Sequence, residues 1–155
     1  MRKILVVCLM MFALCGCSSL FSRPICVQRN NLSVVISKIE LAGVIYYANG
    51  QSDLRGDDWT LLSQIAEKAK RTGAKVVVYG HASHHTKAKN VLQAILTNIK
   101  VSNNRAVKIM SGLWAYGVPL ENIKTMAMFD TRPVAEENNL QGQAANRRSE
   151  IYLYW

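Results

Sequence analysis

The sequence predicts an α+β fold, a two-layer α/β sandwich with helices on one face of a sheet. Its 155 residues are half hydrophobic and include three prolines, which suits one domain with a single core. Runs of β-branched and aromatic residues alternate with segments of helical periodicity, and the chain ends on such a run. Strands separated by helices in this way are typical of a two-layer sandwich.

Short β-branched and aromatic runs mark the predicted strands. They are residues 34–36, 44–48, 75–80, 123–128 and 149–155. Gly43 and the pair Asn49-Gly50 bound the second of them, and the third is a continuous apolar run, which predicts a strand buried on both faces. Residues 136–142 are polar and are predicted to be a loop.

Two longer segments have the apolar spacing of amphipathic helices. Asp57 or Asp58 is suited to cap the first, and Gly73 is suited to end it. The second covers about residues 86–116, with a shift in its apolar spacing near Asn98 that would allow a break.

The N-terminus has the layout of a secretory signal. Residues 1–3 are a short basic region, residues 4–14 are an unbroken apolar run, and small residues with cysteines follow. The apolar run is shorter than the roughly 20 residues that span a bilayer. The alternative interpretation is a buried N-terminal helix.

Residues 14–17, LCGC, resemble the lipobox of bacterial lipoproteins. The resemblance implies that residues 1–16 are removed and that Cys17 becomes the lipidated first residue. The two serines that follow favour the outer membrane over the inner one. Residues 17–31 are predicted to be a tether reaching about 50 Å at most, and residues 32–155 the folded domain.

The formal net charge of +9 indicates an anionic neighbour, such as nucleic acid, a membrane surface or an anionic polymer. An export signal conflicts with nucleic-acid binding, so we expect no nucleic-acid partner. Beyond Cys17, Cys26 is the one cysteine left in the mature chain, which leaves no intramolecular disulfide. Cys26 is either an inert thiol or pairs with a partner protein.

Three motifs in order resemble the OmpA-like peptidoglycan-binding domain. They are Gly80-His81 at a strand end, residues 98–106 (NIKVSNNRA) at a helix start, and Asn146-Arg147-Arg148 before the last strand. The resemblance covers about residues 33–155. It implies the OmpA C-terminal-like fold with a mixed sheet, and non-covalent binding to the diaminopimelate of the peptidoglycan stem peptide.

The resemblance also implies a set of ligand-binding residues. By position these are His81, Ser83, Asn98, Arg105 and Asp130. A free amino-acid end carries a carboxylate beside an ammonium, so its receptor needs one cation and one anion. Arg105 is expected to take the carboxylate, because its planar fork donates two parallel charge-assisted hydrogen bonds.

The anion is where this sequence departs from the family. Ser83 stands where the family has an aspartate, and a hydroxyl contributes no charge. Asp130, in a late loop, is the substitute considered. The interval from Ser83 to Arg105 is also about seven residues, or about two helical turns, longer than the family usually has. This extension, within residues 87–97, could cover the cleft or provide a new contact surface.

His81, His84 and His85 invite a metal interpretation. No acidic residue or cysteine lies close to them in the sequence, so we predict no metal and no cofactor. A hydrolase that acts on the cell wall is another possibility, but no Ser-His-Asp set is suggested by local spacing. We therefore expect a binding protein rather than an enzyme.

The leading hypothesis is an outer-membrane lipoprotein whose periplasmic domain binds peptidoglycan and links the outer membrane to the cell wall. The alternative is a structural subunit of an envelope-spanning complex, such as a type IVB secretion system, with weak or absent peptidoglycan binding. In that case its partners are other envelope or secretion-complex proteins.

Overall fold

The computed structural model describes residues 38–86 and 88–155 of the chain. The predicted signal peptide, Cys17, the predicted tether, Cys26 and the strand predicted at residues 34–36 lie outside the described residues. Within the described part, no helix is both long enough and apolar enough to cross a bilayer.

In the described part of the chain, four strands form one mixed sheet in the order β1-β4-β2-β3. They are β1 (Ile39–Tyr46), β2 (Lys75–His81), β3 (Ile123–Phe129) and β4 (Arg148–Tyr154). β4 lies antiparallel to both β1 and β2, while β2 and β3 are parallel. The mixed sheet expected from the family resemblance is confirmed.

Three α-helices and one 3-10 turn connect the strands. They are α1 (Gly56–Thr72), α2 (Val91–Ala115), the 3-10 turn (Leu120–Asn122) and α3 (Leu140–Asn146). α1 and α2 contact each other and the sheet. The α+β sandwich predicted from the alternation of strands and helices is confirmed.

The core lies between the sheet and these two helices. Its residues are fully buried aliphatic side chains of the central strands and of the inner helix faces: Val76, Val78, Ile151, Leu153, Leu62, Ile109 and Leu113. Alternate residues of β2 and β4 therefore face the helices, as the period of two in a strand requires.

The prediction that the strand at residues 75–80 is buried on both faces was wrong. Val76 and Val78 are buried under the helices, whereas Val77 and Tyr79 on the other face are half-buried. On that outer face Tyr79 packs against Tyr152 of β4, with the two ring centroids 5.7 Å apart. A continuous apolar run can thus line a sheet that has helices on one face.

β1 begins earlier than the strand predicted at residues 44–48, and it runs through Gly43. The register against β4 shifts between Leu41 and Gly43, which is a bulge. A Cβ at Gly43 would lie 3.0 Å from side-chain atoms of Leu61 and Ile65 on α1. The glycine therefore marks the close packing of α1 on β1 and not the end of the strand.

The start of α1 also differs from the prediction. Its N-cap is Arg55, so neither Asp57 nor Asp58 is the cap. Asp58 lies in the first turn, where its carboxylate accepts a hydrogen bond from the Arg55 backbone N–H at 2.8 Å. Gly73 ends the helix with φ of 68°, as predicted.

The second helix is continuous from Val91 and has no break at Asn98. Its N-cap is Asn90, whose side chain accepts from the Gln93 backbone N–H at 2.8 Å. The capping amide fixes the start five residues later than the apolar spacing suggested. The polar segment at residues 136–142 was only partly a loop, because α3 begins at Leu140.

The second helix passes over the end of β2 with almost no clearance. A Cβ built on Gly80 would lie 2.0 Å from the backbone oxygen of Ser102. Because the Ser102 oxygen belongs to the backbone, a side-chain rotation could not relieve this clash. Gly80 thereby sets how closely α2, and the residues it carries, approach the strand end.

Replacing Gly80 with alanine is expected to lower the free energy of unfolding by about 2 kcal/mol or more, because the helix must move away from the strand. Gly56→Ala is the matched control, since a Cβ there meets nothing within 4 Å. Urea unfolding of both variants measures the difference. Equal midpoints for Gly80→Ala and Gly56→Ala would show that the close approach carries no energetic constraint.

Candidate functional site

A cavity of about 40 Å³ lies beyond the ends of β1 and β2, beside α2. Its lining includes Asn49, Ser83, Thr97, Asn98, Arg105 and Arg147. A water molecule needs about 10–15 Å³ measured in this way, so the cavity has room for a few waters or a carboxylate group. We call it the cleft. It brings together three predicted site residues, Ser83, Asn98 and Arg105.

Arg105 is 1% exposed and is held by main-chain oxygens. Its Nε donates to the carbonyl of Gln51 at 2.9 Å, and its Nη1 donates to the carbonyl of His81 at 2.6 Å. Its guanidinium carbon lies 4.6 Å from the ring centroid of Tyr47. Within the described residues, Nη2 donates to no acceptor, so one nitrogen remains for a ligand.

The Arg105 cation has no carboxylate partner among the residues that the structure describes. Burial lowers its pKa to about 10, an effect opposed by Tyr47 and reinforced by Arg147. At neutral pH the side chain is still protonated. A buried cation without a counter-ion is costly, so the cleft favours an anionic ligand.

Ser83 is hydrogen-bonded to the carboxylate of Glu137, a residue that the sequence analysis did not identify. Its Oγ donates to Glu137 at 2.6 Å, and the backbone N–H groups of His84 and His85 donate to the same carboxylate at 3.0 and 3.1 Å. Asn146 Nδ2 donates to it at 2.8 Å. Glu137 thus ties the loop after β2 to the loop before α3.

These hydrogen bonds determine the protonation of Glu137. Burial raises its pKa, but the hydrogen bonds from Ser83, Asn146 and the two backbone amides outweigh burial and hold the pKa at about 2. Its side chain is 11% exposed. A permanent negative charge therefore lies directly behind the Ser83 hydroxyl.

Asp130 was the acid proposed to compensate for Ser83, and the structure pairs it with His84 instead. Asp130 and Glu137 occupy different places in the late loop: Asp130 Oδ2 lies 2.7 Å from His84 Nδ1, and Glu137 Oε2 lies 3.2 Å from His85 Nδ1. The sequence did indicate an acid from this loop, because Ser83 carries no charge where the family has an aspartate. Nothing in the spacing separated Asp130 from Glu137.

The same pairs bear on the metal interpretation. Folding places an acid beside His84 and beside His85, although none is near them in the sequence. Even so, no group of three or more His, Cys, Asp or Glu side chains within residues 38–86 and 88–155 is arranged to hold a metal ion.

His81 contributes to the cleft through its backbone. Its carbonyl accepts from Arg105, whereas its ring lies outside the cleft lining, with Nε2 3.8 Å from Glu150 Oε2. Burial, with Arg148 nearby, lowers the pKa of the imidazole to about 4, so the ring is neutral at pH 7. Ligand contact by the His81 side chain stays a prediction without geometric support.

The three residues of the Asn146-Arg147-Arg148 motif have different roles. Asn146 accepts from the backbone N–H groups of Val134 and Ala135 at 2.8 and 3.2 Å and thereby shapes the late loop. Arg147 lines the cleft, and the buried Arg148 forms an ion pair with Glu150 at 2.6 Å. Only Arg147 adds a second cation to the lining.

Comparison with known proteins identifies the family of the chain. The model of the OmpA family matches residues 46–147, a segment that contains the whole cleft. The chain belongs to the OmpA family. "Peptidoglycan-binding protein ArfA" of Mycobacterium tuberculosis is 30% identical over 112 residues, which cover 72% of this chain and 32% of ArfA. The chain thus spans about a third of the length of that relative.

Solved structures show the same fold. The cell wall anchor of the T6SS from Pseudomonas aeruginosa superposes with a TM-score of 0.60 at 27% identity, covering 72% of this chain and 78% of the anchor. The peptidoglycan-associated lipoprotein from Burkholderia pseudomallei superposes with a TM-score of 0.60 at 18% identity, covering 71% of this chain and 88% of the lipoprotein. The fold that positions the cleft is therefore shared with these two structures.

Replacing Glu137 with glutamine is expected to lower the free energy of unfolding by about 2 kcal/mol at pH 7, because its donors lose a charged acceptor. The folded-state pKa of about 2 lies below the ordinary value of 4.5. The charged group therefore contributes fully above about pH 5, and this contribution is lost as pH falls toward 2.

The measurement is thermal unfolding of wild type and Glu137→Gln between pH 2 and 7, with Glu136→Gln as control. Glu136 is exposed and neighbours Glu137 in sequence. The stability difference should shrink as the pH is lowered. A difference that stays constant down to pH 2 would contradict the role assigned to the charge.

Proposed function

We propose that this protein is an outer-membrane lipoprotein whose periplasmic domain binds peptidoglycan non-covalently, through the diaminopimelate of the stem peptide. It would link the membrane to the wall, and no bond is made or broken in doing so. The observation that carries the proposal is the buried Arg105 cation, which lines a cleft and has no carboxylate partner among the described residues.

The carboxylate of the ligand is assigned to Arg105. Because Nε and Nη1 already bind main-chain carbonyls, the guanidinium is fixed before the ligand arrives, and Nη2 is the nitrogen left to donate. A preorganised donor loses little entropy on binding. The ion pair would also give the buried cation the counter-charge that it lacks.

The ammonium of the ligand is assigned to Ser83 and Glu137 together. The Ser83 hydroxyl lies in the cleft lining, and the Glu137 carboxylate lies 2.6 Å behind it. The hydroxyl donates its proton to Glu137 and accepts from the His85 backbone N–H at 3.2 Å, which leaves one lone pair to accept from the ligand ammonium. The pair would thus present both an acceptor and a negative charge, although Ser83 itself is neutral.

The position of the cleft supports a link between two surfaces. The N-terminal segment enters the domain at Lys38, whose backbone pairs with that of Trp155 at one end of the sheet. β1 then runs eight residues to Tyr46, about 26 Å at the usual rise per residue, and the cleft lies at that far end. The chain leading from Cys17 would therefore reach β1 at the end opposite to the cleft.

Wild-type protein is expected to sediment with diaminopimelate-type sacculi and to remain in solution with lysine-type sacculi. Lysine lacks the second carboxylate, which is the group that Arg105 is proposed to bind. Free meso-diaminopimelate should compete. Arg105→Lys should weaken retention by about tenfold or more. A single ammonium cannot keep the hydrogen bonds to both main-chain carbonyls and also donate to the ligand with the fixed geometry of the guanidinium.

The control variant is Lys108→Arg, on the next turn of α2, where the side chain pairs with Asp53 outside the cleft. Circular dichroism establishes that each variant is folded. Equal retention of wild type on both sacculus types would contradict diaminopimelate recognition while leaving wall binding intact. No retention on either type would contradict wall binding.

Replacing Cys17 with serine is expected to move the protein from the outer-membrane fraction to the soluble periplasmic fraction and to abolish labelling with radioactive palmitate. Two or more acyl chains give stable anchoring, and a chain without them has no comparable hold. Cys26→Ser is the control, because it removes a thiol but not the lipobox cysteine. Unchanged membrane fractionation of Cys17→Ser would contradict the lipid anchor.

A second candidate function is assembly within an envelope-spanning complex, such as a type IVB secretion system. The observation that favours it is the start of α2, where four large aliphatic side chains are at least half exposed. The similarity to the cell wall anchor of a secretion system is compatible with such a role. The two functions are not exclusive, because the cleft and this surface involve different side chains.

A further inference from the structure

The first two turns of α2 extend beyond the end of the sheet. Ser102 lies over Gly80, one residue before β2 ends. Val91 is eleven residues earlier on the same continuous helix. At 1.5 Å per residue it therefore lies about 16 Å from Ser102 along the helix axis, past the strand ends.

This projecting part carries an apolar surface that nothing in the described chain covers. Val91, Leu92, Ile95 and Leu96 are 76%, 66%, 50% and 56% exposed. We call these four residues the apolar overhang. Single exposed aliphatic residues are ordinary, whereas four on adjacent turns mark an interaction surface.

The apolar overhang continues the stripe by which α2 contacts the sheet. The buried residues of α2 recur every three or four positions from Asn98 to Leu113. Val91 and Ile95 extend that spacing toward the N-terminus, where no strand lies beneath them. The residues at positions 91 and 95, and at 92 and 96, form two ridges of i, i+4 pairs, between which a ridge of another helix can pack.

The charges around the apolar overhang are of one sign. Lys89 and Lys100 are exposed, and neither forms an ion pair with any described residue. The sequence contains no acidic residue between Glu67 and Glu121. An approaching surface therefore meets uncompensated positive charge at both ends of the aliphatic ridges.

These charges select among the occupants of the surface. A second copy of this chain would bring like charges together, which disfavours self-association. An anionic bilayer fits the charge, but it offers no side-chain ridge to pack between the two i, i+4 pairs. A partner segment with acidic and apolar faces satisfies both the ridges and the lysines.

We propose that the apolar overhang docks an acidic amphipathic helix of a partner protein. The site lies in the first two turns of α2, and its four residues are not part of the cleft lining. Its affinity comes from burial of the four aliphatic side chains, and its choice of partner comes from Lys89 and Lys100.

The experiment uses the mature chain from residue 17 with Cys17→Ser, so that it carries no lipid. The probes are two labelled helical peptides of about 20 residues with the same leucine stripe. One peptide has glutamate, and the other has lysine, at all the remaining positions. Fluorescence anisotropy is expected to give at least about tenfold tighter binding of the glutamate peptide, weakened by added salt.

Three variants identify the surface. Leu92→Ser with Leu96→Ser should abolish binding, and Leu120→Ser with Leu140→Ser, exposed elsewhere, should leave it unchanged. Lys89→Glu with Lys100→Glu should reverse the preference toward the lysine peptide. All of these variants should retain the sacculus binding of the parent, so failure here is distinguishable from failure of the cleft.

Several results would overturn the proposal. They are equal binding of the two peptides, no binding of either, or binding that survives Leu92→Ser with Leu96→Ser. Dimerisation in analytical ultracentrifugation that these two substitutions abolish would assign the surface to a second copy. Binding to phosphatidylglycerol vesicles but not to peptide, lost in the same variant, would assign it to a lipid surface.

Discussion

The site depends on one buried guanidinium. Arg105 joins three parts of the chain, because it donates to the backbone after β1 and to the last residue of β2 while standing on α2. No described carboxylate neutralises it. Main-chain carbonyls can orient a cation but carry only partial charge, so the folded domain retains a position for an anion at the point where its layers meet.

This arrangement requires α2 to lie close to β2, and Gly80 permits that. The helix crosses the strand with its backbone against the Gly80 Cα, which brings Arg105, one turn beyond Ser102, within reach of the His81 carbonyl. A larger residue at position 80 would separate the layers and lengthen that hydrogen bond. The Gly80-His81 motif is therefore explained by backbone geometry, with the histidine ring contributing to the outer face of the sheet.

The sequence predicted the architecture better than it predicted the local boundaries and the charges. Alternating periodicity was sufficient for the sandwich, since strands and helices of this length have few ways to pack. The caps Arg55 and Asn90 were missed because a cap is decided by one or two hydrogen bonds, which periodicity does not encode. Gly43 was mistaken for a boundary because close packing and chain reversal both favour glycine.

The site shows the same division between what is local and what is not. Ser83 and Arg105 could be placed because each lies in a short motif on one element. Glu137 could not, because its role arises from tertiary contacts between loops more than fifty residues apart along the chain. Asp130 and Glu137 lie in the same loop region and have the same charge, and only the fold decides which one meets Ser83.

The contact between Ser83 and Glu137 also changes how the missing family aspartate should be understood. A carboxylate at position 83 would stand against the carboxylate of Glu137, whose pKa of about 2 keeps it charged at any physiological pH. Two such groups in hydrogen-bonding distance cannot both remain ionised without cost. Serine and glutamate at these positions therefore form a compatible pair, in which the hydroxyl faces the cleft and the charge lies behind it. The departure from the family pattern at position 83 is consequently not by itself a sign of a lost site, since the negative charge has another source within 2.6 Å.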